Sequence, residues 1–331
     1  MTMATVALVH VGGTIGLIGR DRLDLARYVE TRESKTIEDL LEAVPEIRSV
    51  ATVRPIPYET KLSHALTLQD LTVLSKTVSV LNEDPEIDGV VISHGTNTLE
   101  ETAYFLGLTV SSAKPVVVCG AMRPWSGLSS DGPLNLLNAV RTAANVQSRN
   151  RGVLVVFDGA ILSARDATKT STESVHAFTS AGLGPLGSCS ADGEIVYYRR
   201  VEHPQAAALQ CPDPGTAFPR VDVIVSYVGA DGTFVEAAVN AGARGIISAG
   251  TGAGVPTPEE EAALNIAAAT GIIVCQASRV GTTRISRGSS FYKRGWVAVD
   301  DLNPWKARLL LSLILTQADD KGQVQNLFDS H

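Results

Sequence analysis

The chain has 331 residues, of which 44% are hydrophobic and 19% charged. At about 150 residues per domain this suffices for two cores, and it lies outside the composition of a disordered chain. Lys plus Arg number 28 against 35 Asp plus Glu, a formal net charge of −7, which argues against nucleic acid as a partner because such proteins carry a basic face.

The N-terminal half reads as strands and helices in alternation. Apolar runs cover Thr5 to Val11, Gly89 to Ser93, Val116 to Cys119 and Val153 to Phe157, and each leads into a turn containing glycine. Continuous Val/Ile/Leu without polar alternation predicts strands buried on both faces of a parallel sheet. Between them, Thr67 is positioned to cap a helix with Leu68, Leu71, Leu74, Val78 and Leu81 on one stripe. Thr98 with Leu99-Glu100-Glu101 has the spacing of a capping box, and Asp131 is placed to cap a helix carrying Leu134, Leu137 and Val140. From 196 to 219 the period fails, with Pro204, Pro212, Pro214 and Pro219, as in a linker. Strands resume at Val221 to Val228, Gly245 to Ser248 and Ile272 to Gln276. Thr257-Pro258 and Asn303-Pro304 each read as an N-cap followed by proline at the first helical position. The expected organisation is two α/β domains. The larger, residues 1–195, has a doubly wound, mostly parallel sheet; the smaller is C-terminal, residues 220–331.

No run of about eighteen apolar residues exists to cross a bilayer, so no membrane partner is expected. Met1-Thr2-Met3-Ala4 does not open a secretory leader. Cys119, Cys189, Cys211 and Cys275 are scattered, with no C-x-x-C pair; three lie among apolar or small residues, as reduced buried thiols do. A cytoplasmic protein is the expectation.

Ligands of open α/β sheets bind beyond the carboxyl ends of the strands. Three segments fall there: Gly12-Gly13-Thr14-Ile15, His94-Gly95-Thr96-Asn97-Thr98 and Asp166-Ala167-Thr168-Lys169-Thr170. They supply threonine hydroxyls, a lysine and backbone N–H groups freed by glycine. A threonine hydroxyl becomes a nucleophile when a base takes its proton, a desolvated lysine can be that base, and glycine-turn amides can hold an oxyanion. Acyl transfer without a metal or cofactor follows. Each piece alone also reads blandly: Thr14, Thr96 and Thr98 as helix caps, Lys169 as a solvated side chain, His94 as a structural histidine. Gly250-x-Gly252-x-Gly254 lacks the spacing of a dinucleotide loop.

In combination these segments resemble the signatures of the bacterial-type L-asparaginase (asparaginase/glutaminase) family. The resemblance continues through Leu99-Glu100-Glu101-Thr102-Ala103, Gly120-Ala121-Met122-Arg123-Pro124 and Ser130-Asp131-Gly132-Pro133, and into Ser248-Ala249-Gly250 and Ser278-Arg279-Val280. It covers nearly the whole chain in order. It implies hydrolysis of a side-chain amide through a threonyl ester, with Thr14 as nucleophile and Tyr28 assisting from a loop in which Gly16 and Gly19 give freedom. Thr96 and Lys169 match the family's hydroxyl–amine relay. The spacing leaves open which threonine attacks first. Substrate-binding positions implied are Gly13, Ser63, His64, Gly95, Asn97, Ala121 and Met122. The family also implies a homo-oligomer, dimer or tetramer.

Two departures bear on the substrate. Asn97 stands where the family has the aspartate that binds the α-ammonium, and His64 stands where a small or amide residue is more usual. The stretch Arg284-Ile285-Ser286-Arg287-Gly288 holds no acid, where relatives bring a glutamate from a neighbouring subunit. L-asparagine or a near analogue is the leading substrate. An amide lacking a free α-amino group, such as an N-acylated asparagine or a dicarboxylic half-amide, is the alternative, and a binding module without turnover is a third reading.

Overall fold

The computed structural model of the protein describes residues 3–111, 113–180, 182–200, 208–281 and 284–331. The chain divides into two compact units, Met1–Glu202 and His203–His331.

In the first unit the elements are β1 (Thr5–His10), α1 (Ile37–Ala43), β2 (Thr52–Ile56), α2 (Leu68–Glu83), β3 (Gly89–Ser93), α3 (Leu99–Thr109), β4 (Val116–Cys119), α4 (Gly132–Ala144) and β5 (Val153–Phe157). The five strands are parallel, in the order β2-β1-β3-β4-β5. Both faces of β1 are covered, which is why it reads without alternation. Ala7, Val9 and Val11 pack with Leu74 and Val78 of α2 and Leu99 and Ala103 of α3. Val6 and Leu8 pack with Leu40 of α1 and Leu136 and Val140 of α4. Thr67 caps α2 with a complete capping box, an arrangement worth about 1 kcal/mol.

Five short strands follow: β6 (Ala160–Ser163), β7 (Ala167–Lys169), β8 (Phe178–Ser180), β9 (Gly187–Cys189) and β10 (Ile195–Tyr197). β6, β9 and β10 extend the sheet antiparallel from β5, whereas β7 and β8 form a separate hairpin. Three or four residues are too few to show a period, so the sequence did not reveal them. Val196 and Tyr197 therefore belong to the first unit's sheet rather than to a linker beginning at 196; Pro204 and its neighbours at 201–207 lie outside the described residues.

The second unit contains β11 (Val221–Val225), α5 (Thr233–Asn240), β12 (Gly245–Gly250), α6 (Pro258–Ala269), β13 (Ile273–Ser278), β14 (Val297–Ala298), α7 (Pro304–Ile314) and α8 (Lys321–Ser330). Its four strands are parallel in chain order, around a core of Ile224, Val235, Ile246, Leu264, Val274 and Trp296. Thr257 and Asn303 cap α6 and α7 as their sequence predicts. β11 stops short of the expected Val228 because a turn closed by Ala230 N–H on Tyr227 O follows. The Gly250–Gly254 turn closes on itself: a Cβ on Gly250 would lie 2.3 Å from the Gly254 carbonyl carbon.

Three other expectations need correction. Leu134 is exposed, and Leu136 takes its place beside Leu137 and Val140 in the core. Thr98 and Asp131 occupy N-cap positions but make no cap bond; both side chains bind distant chain segments instead. Of the cysteines, all free, Cys119 and Cys275 are buried, and Cys189 and Cys211 are half-buried. No helix among the described residues is long and apolar enough to cross a membrane.

Candidate active site

β1 leads on to β2 on one side, and β3 returns on the other, so the strand order reverses between β1 and β3. The carboxyl ends of these two strands lie in register, His10 opposite Ser93. Whatever follows them must emerge side by side, the usual place for a ligand in an open parallel sheet. The glycines let the two turns close up. Gly12 and Gly13 have φ of 109° and 97°, accessible to glycine at little cost. A Cβ on Gly13 would stand 2.2 Å from Gly95 Cα, and one on Gly95 would stand 2.5 Å from Ser63 Oγ. Gly120 closes the group, since a Cβ there would lie 2.6 Å from His94 O. The backbones at Gly13, His94-Gly95 and Gly120 are thus packed against one another, with the Ser63 side chain against Gly95.

A hydroxyl–hydroxyl pair and an amine–hydroxyl pair occupy this junction. Thr14 Oγ1 lies 3.2 Å from Tyr28 Oη. Tyr28 begins a short 3-10 helix, Tyr28–Thr31, which Thr31 ties down by donating to Ile18 O at 2.6 Å. Gly16 and Gly19 have ordinary φ and serve close approach: a Cβ at Gly16 would meet His10 Nε2 at 3.1 Å, and one at Gly19 would meet Asp24 O at 2.8 Å. In the second pair, Lys169 Nζ donates to Thr96 Oγ1 at 2.9 Å, across 73 residues of sequence. Burial lowers the Lys169 pKa below the ordinary lysine value, and the nearby Glu100 carboxylate opposes that shift. A lysine so placed gives up its proton more readily than a surface one, so its neutral amine is more available to act as a base.

The turn holding Thr96 is braced from beneath. His94 is fully buried; its Nδ1 lies 2.7 Å from Gly95 O, so that nitrogen carries the proton, and Nε2 accepts from Thr102 Oγ1 at 3.0 Å. Burial pushes its pKa down to about 4, with the Gly95 carbonyl opposing and His10 adding to the shift. It is a neutral brace, not a base. Thr98 Oγ1 donates to Ser63 O at 2.8 Å, which explains its missing cap bond.

The remaining sequence candidates fall into two groups. Ser63 and Ala121 are buried and Met122 half-buried, within the packed junction; His64 and Asn97 are exposed on its rim. The 121–123 turn is held by Asp131, whose carboxylate accepts from Met122 N and Arg123 N, each at 2.9 Å. Asn135 adds Nδ2 to Gly120 O at 3.0 Å and accepts from Asp158 N at 3.0 Å. Asp131, Asn135 and Glu100 are site-supporting residues that motif reading left as caps or unremarked. The signal was the carboxylate two residues before Pro133, which looks like a cap until its partners are seen. In the second unit Arg284 pairs with Asp300 at 2.5 Å and Arg287 with Asp329 at 3.0 Å. Among the described residues no group of three or more His, Cys, Asp or Glu side chains is arranged to hold a metal.

Residues 5–203 match the family model of the asparaginase N-terminal domain, and residues 220–328 match that of the glutaminase/asparaginase C-terminal domain. The chain is 38% identical to L-asparaginase 2 of Escherichia coli K12, over 100% of this chain and 94% of that protein. It is 35% identical to the glutaminase-asparaginase of Acinetobacter glutaminasificans, over 98% of each. The crystal structure of a probable cytoplasmic L-asparaginase from Campylobacter jejuni superposes with a TM-score of 0.92 at 36% identity, covering 99% of this chain and 100% of that one. The chain belongs to the asparaginase family.

Proposed function

We propose that the protein hydrolyses the side-chain amide of L-asparagine to L-aspartate and ammonia, with Thr14 as nucleophile. The observation that carries this reading is the pair of hydroxyl contacts, Thr14 with Tyr28 and Thr96 with Lys169, brought to one junction at the ends of β1 and β3. Relatives named L-asparaginase and glutaminase-asparaginase along the whole chain support the substrate class, and they favour it over an amide without a free amino group.

Thr14 Oγ attacks the amide carbon while its proton passes through Tyr28, and the C–O bond forms as the carbonyl electrons move onto oxygen. N–H groups of the glycine turns are placed to stabilise that oxyanion. Collapse expels the amine, protonated to ammonia, and leaves a threonyl ester. The Lys169–Thr96 pair then takes a proton from water as it attacks the ester carbon, and collapse of that intermediate breaks the bond to Thr14 Oγ1, returns a proton to that oxygen and releases L-aspartate. Ser63, Gly13, Gly95, Asn97, His64, Ala121 and Met122 surround the position where the substrate would sit. Removing the nucleophile from such a unit lowers kcat by about 10⁴-fold or more. Thr14→Ala should therefore release almost no ammonia from L-asparagine, and an acyl group should be trapped on Thr14 by mass spectrometry. Full activity in Thr14→Ala would refute the assignment.

A homo-oligomer, dimer or tetramer, accompanies this reading. Exposed apolar side chains on the second unit, Tyr227, Val228 and Phe234 among them, support association. Activity that persists in a monomer at nanomolar dilution would count against it. A cytoplasmic setting is supported by the free thiols and by the Campylobacter neighbour; a Haemophilus influenzae relative at 38% identity is named periplasmic. Recovering the protein from a periplasmic extract would exclude the cytoplasm.

A further inference from the structure

Glu100 enters neither the hydroxyl pairs nor the substrate rim, yet it is only 6% exposed. It sits in the first turn of α3, the end of a helix that favours an acidic side chain. Its Oε1 accepts the Lys169 backbone N–H at 3.3 Å, on the same residue whose ammonium reaches Thr96. A carboxylate this far from water is kept where its charge has partners. β7 packs on α3, so the lysine-bearing strand is fastened at the point where the helix begins.

We propose that Glu100 is a positioning residue for the hydrolytic reaction, fastening the strand that carries Lys169 beside the Thr96 turn through its bond to the Lys169 backbone N–H. The inference rests on the reading of Lys169 as the base that acts with Thr96. The titratable groups on the elements around the lysine are Glu100, Glu101 and Tyr104 of α3, His94 of the preceding turn, Arg165 and Asp166 before β7, and Glu173 and His176 between β7 and β8, where His176 lies 3.0 Å from Asp158. Arg165 and Asp166 pair with each other at 3.5 Å, and His94 is neutral through burial. β8 places Phe178, Thr179 and Ser180 opposite β7, none of them charged. Burial favours the neutral amine, and the Glu100 charge acts against it. Opposed in this way, the two effects leave an amine that donates to Thr96 at rest and gives up its proton short of the ordinary lysine range.

An opposite charge within a few ångströms moves a pKa by about 1–3 units. The acid limb of kcat/KM for L-asparagine reports the free enzyme's base. In Glu100→Gln, which keeps an acceptor oxygen for the Lys169 N–H, that limb should move to lower pH by about one unit. In Glu100→Asp, with the charge withdrawn by one methylene, it should move by roughly half as much. Lys169→Met is measured alongside and should lose at least a hundredfold in rate. A limb that stays in place in Glu100→Gln while Lys169→Met is inactive overturns the inference and leaves the relay standing. Wild-type activity in Lys169→Met overturns both. If the glutamine variant does not fold, the aspartate variant decides: an unmoved limb there overturns the proposal.

Discussion

The two buried histidines beneath the junction make the first unit sensitive to acid. His10 has its Nδ1 2.7 Å from Ser93 Oγ, and burial pushes its pKa from 6.5 down to about 4; His94 is pushed to about the same value, chiefly by burial. Folding therefore favours their neutral forms. That contribution is fully present above pH 6.5, the unfolded value, and is lost as pH falls through 4. A fall from 6.5 to about 4 is worth about 3 kcal/mol per histidine at 1.36 kcal/mol per unit. Roughly 2 kcal/mol of that is gone at pH 5 for each. Together they remove about 4 kcal/mol from a stability of order 5–15 kcal/mol. The test is urea unfolding at pH 8 and pH 5, followed by tryptophan fluorescence, for wild type and His10→Asn. Carboxylates titrate alike in both proteins, so the difference isolates the imidazole. Asparagine can still reach Ser93 but takes no proton. The variant should lose about 2 kcal/mol less than wild type between the two pH values. Equal losses would show that burial of His10 is not what disfavours its protonation.

Sequence patterning worked where burial is local and two-sided. The parallel strands β1, β3, β4 and β5 read as unbroken apolar runs because α2 and α3 cover one face and α1 and α4 the other, whereas the edge strand β2, Thr-Val-Arg-Pro-Ile and largely exposed, carried no such run and was not anticipated. Caps at Thr67, Thr257 and Asn303 were legible because the bonds span only three residues. Thr98 and Asp131 carried the same local signature and yet bind Ser63 and the 122–123 backbone, so a cap motif beside a functional turn misleads when a distant backbone group competes for the side chain. β7 has three residues and no period, and nothing in the chain near Lys169 announces that it meets Thr96. Only the family resemblance anticipated that contact, and Glu100 was visible solely as a helix-start residue. The strand-end turns were legible as chemistry; their support was not, because it is assembled across 69 and 73 residues.

Two further outcomes test the junction itself. Gly95→Ala would drive a methyl group to 2.5 Å from Ser63 Oγ and 3.2 Å from Gly13 Cα. Parting the turns by a few tenths of an ångström or more should cost about 1–3 kcal/mol in thermal unfolding and about a hundredfold in kcat/KM; activity within twofold of wild type would show that the close packing is not required. Asn97 tests recognition. It is exposed on the rim between Thr96 and Thr98, and its amide carries no charge to pair with a substrate ammonium. Asn97→Asp supplies one, and a charge-assisted contact of about 1.4 kcal/mol lowers KM for L-asparagine roughly tenfold. Because that contact is made equally before and during the reaction, kcat should stay nearly constant. N-acetyl-asparagine has no ammonium to meet the new carboxylate, so its KM should rise or hold. If the two substrates respond alike to Asn97→Asp, position 97 does not sense the amino group, and the selectivity for a free amino acid must come from elsewhere on the rim.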